Sequence, residues 1–264
     1  MNHSPSSCTS HILSKLERES TNFIAYNRFD KKNKNLSEVL FLGGFNSNMR
    51  GTKSTYLKFI SEKLNQTYTC FDYFGHGVSS GVFHQGTIGL WLADTLAMID
   101  HVTKGPLILV GSSMGGWLMT LAALARPERV RALIGVASAP DFTEELIWAT
   151  LNESQRKDFI RQGIIQAPSQ YEEQGFPITL QLVEEGRNHL VLNKSIDIHC
   201  PVHLIHGAAD VEVPWTFSNR LAQRIKSPEV TLTLVKNGDH RLNAPFALSR
   251  LYSLLNEINQ SISH

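Results

Sequence analysis

Cysteine is scarce in this chain of 264 residues: Cys8, Cys70 and Cys200 are odd in number and far apart. Such usage argues against a disulfide framework and fits a reducing compartment. An excess of charge is missing too. The 25 Lys and Arg face 24 Asp and Glu, for a formal net charge of +1, which offers no electrostatic case for nucleic acid or an anionic membrane. No apolar run approaches membrane-spanning length, and no early stretch joins a basic start to an apolar core as a secretory signal does. Arg18 sits between Glu17 and Glu19, unlike the acid-poor pattern of an organellar transit peptide. There is no internal repeat, and no linker rich enough to split the chain. What remains is a 42% hydrophobic composition, ordinary for one globular domain with a sizeable core. Residues 1–20, Ser-rich and mixed in charge, read as a flexible leader, residues 21–264 as one domain, and the compartment as cytoplasmic.

Apolar runs at residues 39–42, 68–73, 106–110, 130–136, 202–205 and 230–235 read as buried strands. A further short strand is expected at 23–26, followed by a lysine-rich hairpin tip at 30–35. Between the runs lie helical spacings: Tyr56, Leu57, Ile60 and Leu64; then Ile88, Trp91, Leu92, Leu96 and Ile99; and finally Leu248, Leu251, Leu255 and Ile258. Strands alternating with helices imply a mostly parallel sheet with right-handed crossovers and helices on both faces, an α/β fold. The alternation stops at about residues 141–199. There, amphipathic helices are expected at 144–151, 153–163 and 178–192, with no buried strand, so the segment reads as a helical lid laid across the sheet's edge.

Chemistry concentrates at the strand ends, where open α/β sheets gather their sites. After the run ending at Val110 comes Gly111-Ser112-Ser113-Met114-Gly115-Gly116, and then an apolar helix. Strand, sharp turn with a central Ser, and helix is the context that gives a G-x-S-x-G pattern meaning: the Ser sits strained and exposed, and the glycines let strand and helix pass closely. The plain alternative is a helix cap. A nucleophilic Ser needs a base, and the base needs an acid. His240 and Asp210 each follow a later strand, and the order Ser113, Asp210, His240 is that of the α/β-hydrolase arrangement. Asp141 is the reserve acid and His76 the rival base, although His76 comes too early for this order. Ser112 should point away. For an oxyanion, the N–H of Met114 opens the helix, and the Gly43-Gly44 turn nominates the N–H of Phe45.

Two further patterns invite other readings. His199-Cys200-x-x-His203-x-x-His206 has the look of a metal cluster, but the segment reads as a strand, which sends His203 and His206 to opposite faces. Gly75-x-Gly77-x-x-x-Gly81 has the wrong spacing for a dinucleotide fingerprint, and no helix follows at once. Neither a metal nor an organic cofactor is expected.

Several motifs together resemble the α/β-hydrolase superfamily. More narrowly, they resemble its family of palmitoyl-protein thioesterases and mycophenolic acid acyl-glucuronide esterases, mitochondrial with bacterial relatives. They are Leu42-Gly43-Gly44-Phe45-Asn46-Ser47-Asn48-Met49 with Gly51-Thr52-Lys53, Phe71-Asp72-Tyr73-Phe74-Gly75-His76-Gly77, the Ser113 turn through Trp117, Ala139-Pro140-Asp141-Phe142-Thr143, Asp210-Val211-Glu212-Val213-Pro214-Trp215, and Gly238-Asp239-His240-Arg241-Leu242. The resemblance spans roughly residues 20–255. It implies Ser113 as nucleophile, Asp210 as acid and His240 as base of a cofactor-free serine hydrolase acting on acyl esters or thioesters, S-acylated proteins among the candidates. Asn48 departs from the family pattern, which has Asp there. The expected acyl pocket draws on Phe142, Ile147, Trp148 and Trp215. A short-chain carboxylesterase, an acyltransferase and a non-catalytic receptor on the same fold are the alternatives.

Overall fold

The computed structural model describes residues 14–17, 22–30, 36–171 and 173–262. Cys8, the rest of the expected leader and the tip at 31–35 lie outside them. In chain order the elements are β1 (Ser14–Glu17), β2 (Phe23–Phe29), β3 (Glu38–Leu42), α1 (Thr52–Lys63), β4 (Tyr68–Phe71), α2 (Ile88–Ala97), β5 (Leu107–Ser112), α3 (Met114–Ala125) and β6 (Val130–Val136). There follow α4 (Glu153–Gln162), β7 (Ile164–Ala167), β8 (Phe176–Thr179), α5 (Leu180–Gly186), β9 (Val202–Gly207), α6 (Thr216–Arg224), β10 (Val230–Val235) and α7 (Pro245–Ile262).

Eight of the strands make one sheet in the order β1-β2-β4-β3-β5-β6-β9-β10. From β4 to β10 every pairing is parallel, and β1 and β2 add an antiparallel edge. The central strands are buried on both faces, as in the fully covered run Leu107, Ile108, Leu109 and Val110, which is why they read as continuous apolar stretches. Leu57 and Ile60 of α1 share one apolar cluster with Leu251 and Leu255 of α7. Trp91 of α2, Trp117 and Leu118 of α3 and Leu221 of α6 belong to the cluster on the opposite face. This is the α/β fold that the alternation predicts.

Three expectations are corrected. Ser14–Glu17, assigned to the leader, pairs with β2 through Ser14↔Tyr26 to Glu17↔Phe23; polar residues on its open side are what an edge strand needs. The lysine-rich segment does not close a hairpin, because β2 pairs with β1 and β4 while β3 lies between β4 and β5. Within the lid, residues 178–192 are not one helix. Ile178 belongs to β8, which pairs with β7 as a small antiparallel ribbon, and α5 starts only at Leu180, capped by the Thr179 hydroxyl. Pro177 and the β-branched Ile178 and Thr179 favour strand over helix. The expected helix at 153–163 does form. Asn152 and Gln155 make a capping box at its start, and Gly163 ends it at φ 74°. Residues 143–150 wind as π and 3-10 turns.

Candidate active site

Ser113 sits between β5 and α3 at φ 55° and ψ −120°, a conformation that costs energy in a residue with a side chain. What enforces it is the close packing around the turn. A Cβ at Gly111 would run into the Gly115 carbonyl, and one at Gly115 into the carbonyls of Leu42 and Gly43. The helix therefore begins hard against the ends of β3 and β5 and thrusts the Ser113 hydroxyl up. Ser113 Oγ lies 3.0 Å from His240 Nε2, and His240 Nδ1 lies 2.7 Å from Asp210 Oδ2. A carboxylate only accepts, so Nδ1 carries the proton and Nε2 is left to accept from the serine. Residues 113, 210 and 240 come from the ends of three strands.

Asp210 is anchored on all sides. Its Oδ1 accepts from the N–H groups of Glu212 (3.0 Å) and Val213 (2.9 Å), and its Oδ2 from His240 and from His206 Nε2 (3.1 Å). Burial pushes this carboxyl up, but bonds from His206 and His240, the charge of His240 and the Val213 N–H together hold it down at about 2. His206, weighed in the sequence only within a metal pattern, is fully buried. Its Nε2 also donates to Val213 O (2.9 Å), and its Nδ1 meets Ser218 Oγ at 2.7 Å. His203 instead meets Thr231 Oγ1 on the other face. The signal for His206 was present: a histidine at a core-facing position of an apolar strand, four residues before an acid.

The reserve acid does other work. Asp141, at φ 59° after β6, accepts from the N–H groups of Val191 (2.9 Å) and Leu192 (2.8 Å), so it ties the end of the lid to its beginning. Burial raises its pKa against those two donors. His76 is also no base here. It is buried, which lowers it to about 4. Its Nδ1 bonds the Phe74 carbonyl and its Nε2 accepts from the Asn46 N–H (3.2 Å). Asp72 completes this support by accepting from Met49 N–H (2.7 Å) and Val78 N–H (3.0 Å). The loop after β3 thus hangs from Asp72 and His76. Within it, the N–H of Ser47 goes to Gly44 O and that of Asn46 to His76, while that of Phe45 meets no acceptor among the described residues. The Met114 N–H, first in its helix, has no intrahelical acceptor either.

Above Ser113 opens a cavity of about 460 Å³ whose walls include Phe45, Met114, Phe142, Leu146, Ile147, Phe176 and Val213. The Phe45 ring meets Phe142, Phe176, Phe83 and Trp91 edge-on, with centroids 4.9–5.9 Å apart. Two expected lining residues are absent from it. Trp148 packs beside Phe159 and under the guanidinium of Arg187, and Trp215 stands 37% exposed just before α6. Trp148 follows the π turn that carries Ile147 into the cavity and so points to the far side. Phe176 and Leu146 take their place, and β8 was the element that the sequence did not reveal.

A strained serine at a strand–helix turn, bonded to a histidine and through it to a strand-end aspartate, is an arrangement suited to nucleophilic acyl chemistry. The profile of the alpha/beta hydrolase family matches residues 39–249, and the chain belongs to that family. Within it, the chain is 38% identical over 252 residues to the palmitoyl-protein thioesterase ABHD10, mitochondrial, of Mus musculus, covering 95% of this chain and 84% of that protein. The solved structure of alpha/beta hydrolase domain-containing protein 10 from mouse superposes with a TM-score of 0.88 at 37% identity, over 95% of this chain and 99% of that one. A putative hydrolase from Agrobacterium vitis S4 also gives 0.88, at 34% identity, over 93% of this chain and 97% of that one. These similarities agree with the family resemblance that the motifs carry.

Proposed function

We propose that this chain is a serine hydrolase that cleaves carboxylic esters and thioesters through an acyl-enzyme. The observation that carries the proposal is the unbroken hydrogen-bond chain from Ser113 Oγ through His240 to Asp210. In this reading Ser113 attacks the substrate carbonyl while His240 Nε2 takes its proton. Asp210 holds the ring and stabilises the imidazolium. The N–H groups of Phe45 and Met114 receive the oxyanion, each worth about 2.7–4 kcal/mol in the transition state. His240 then hands its proton to the departing thiol or alcohol, and a water activated by the same ring releases the acid. The apolar wall of Phe45, Phe142, Ile147 and Phe176 is the acyl side, and residues 141–199 act as the lid over it.

The similarity to proteins named palmitoyl-protein thioesterases favours thioesters of long acyl chains, S-acylated proteins included. Among the described residues no helix is long and apolar enough to cross a membrane. The scarcity of cysteine in the sequence supports a reducing compartment, the cytoplasm in our reading; the relatives' names place those proteins in mitochondria.

A fluorophosphonate probe is the direct test: it should label the wild type and leave Ser113→Ala unlabelled, and a wild type that stays unlabelled overturns the reading. Turnover across acyl thioesters and oxygen esters of increasing length then ranks substrates. Preference for long thioesters supports deacylation of proteins, and a flat short-chain profile a general carboxylesterase.

A further inference from the structure

The lining of the cavity combines the apolar wall already described with a polar set, Asn46, Ser47, Lys53, Arg241 and Asn243. We propose that this polar set is a leaving-group subsite that takes an anion, a carboxylate or a phosphate borne by the thiol or alcohol being released. The proposal rests on the serine-hydrolase reading and deepens it.

Direction comes first. His240 must protonate the departing sulfur or oxygen, so the leaving group lies on the His240 side of Ser113. Arg241 is the next residue, and the ammonium of Lys53 donates to the Arg241 carbonyl at 2.6 Å. Two cations therefore line the same cavity as Ser113 and His240.

Neither charge is matched by an acid within the fold among the described residues. Lys53 lies in the first turn of α1, which has no acidic residue, and a cation there opposes the helix dipole. Burial draws its ammonium down to about 8, with Asp239 pulling upward and Arg241 pushing further down. No carboxylate pairs with Lys53 or Arg241 among the described residues. The two acids nearby are engaged elsewhere. Asp239 accepts from Tyr171 O–H and Leu242 N–H, and Glu212 accepts from Ser169 O–H and Gln170 N–H of the lid.

The Arg241 guanidinium rests on the Tyr171 ring, 4.0 Å from its centroid, with its N–H donors uncommitted among the described residues. Asn243 adds a buried Oδ1 that has no partner, and a half-turn of that amide would present its NH₂ instead. Unpaired like charges gathered at a cleft mark a place where a ligand can supply the opposite charge. Charge-assisted bonds from a flexible ammonium and a planar guanidinium suit both carboxylate and phosphate.

The test uses octanoyl thioesters that differ only in the thiol: N-acetylcysteamine, neutral; 3-mercaptopropionate, a carboxylate; and coenzyme A, bearing phosphates. We expect kcat/KM about tenfold higher for an anionic thiol than for the neutral one at low salt. Preference for mercaptopropionate assigns a carboxylate, and for coenzyme A alone a phosphate. Lys53→Met and Arg241→Gln should each shrink the anionic-to-neutral ratio, and Lys53→Arg, which keeps the charge and a donor for the Arg241 carbonyl, should preserve it. Circular dichroism confirms that each variant is folded. Equal turnover of the three thioesters, or variants that lower all three alike, overturns the subsite and leaves the hydrolase reading standing. No turnover together with an unlabelled Ser113 overturns both.

Discussion

Replacing His206 by phenylalanine isolates what holds Asp210 in place. The ring keeps its shape, but three polar contacts vanish: the bonds from Nε2 to Asp210 Oδ2 and to Val213 O, and the contact of Nδ1 with Ser218 Oγ. Each buried group left without a partner costs about 1–3 kcal/mol, so with partial relaxation His206→Phe should lose about 3–5 kcal/mol of stability. Part of that loss passes through Asp210 and part does not, and pH separates them. The folded wild type holds Asp210 at about 2, below the ordinary 3.8. Its ionisation therefore stabilises the fold fully above about pH 4, and the contribution is lost as pH falls through about 2. With one donor gone, the carboxyl rises toward its ordinary value and the contribution shrinks. The gap between wild type and His206→Phe, from urea unfolding, should narrow between pH 7 and pH 3. For Ser218→Ala, which unpairs only Nδ1, it should stay constant. In the proposed mechanism the weakened acid lowers kcat/KM of the folded variant about tenfold to a hundredfold. A gap equal at both pH values, or a kcat/KM unchanged from wild type, would refute the claim that His206 positions Asp210.

Asp210→Asn should cut kcat by about 10⁴ by disturbing the tautomer of His240, while Asp141→Asn, which loosens the tie to Val191 and Leu192, should cost stability and much less rate; the reverse ranking would exchange their roles. His76 is held at about 4 by burial, below its ordinary 6.5, so protons favour the unfolded chain. Stability from urea midpoints should thus fall by on the order of 3 kcal/mol as pH drops from 6.5 toward 4. His76→Phe, which keeps the ring contacts with Tyr73, Phe83 and Trp91, should flatten that slope, and an unchanged slope would place the effect elsewhere. Gly115→Ala drives a Cβ into the Leu42 and Gly43 carbonyls and should cost more than about 3 kcal/mol; a near-wild-type melting temperature would contradict the close packing at the turn.

The central strands and their helices were legible because burial on both faces writes them as unbroken apolar runs. That Ser113, Asp210 and His240 would meet was legible because each follows the end of such a run. What escaped was set by pairing rather than by pattern. Ser14–Glu17 looks like polar leader because an edge strand needs only one partner, and β2 supplies it. Phe176 reaches the cavity from a ribbon whose two strands are four residues each and only partly buried, too short to stand out from turns. Trp148 was expected in the pocket with its apolar neighbours, and which side of a π turn a tryptophan faces depends on the turn's extra residue per winding, which apolar spacing does not record.

Three buried aspartates follow the ends of parallel strands in this fold, and their surroundings separate their work. Asp72 after β4 and Asp141 after β6 each receive only backbone N–H groups, at Met49 and Val78 in one case and at Val191 and Leu192 in the other. Burial outweighs those donors and raises both carboxyls. They act as staples, one for the loop that carries Phe45 and one for the lid. Asp210 receives two backbone N–H groups as well, and two imidazoles besides, and it alone of the three is lowered. A group meant to stabilise a transient imidazolium must stay ionised while buried, and only the third aspartate is surrounded so as to do that. Its proposed role then rests on the second histidine as much as on the first. In the proposed mechanism His240 moves the proton, and His206, fixed by Ser218 and Val213, keeps the charge that makes the proton worth moving.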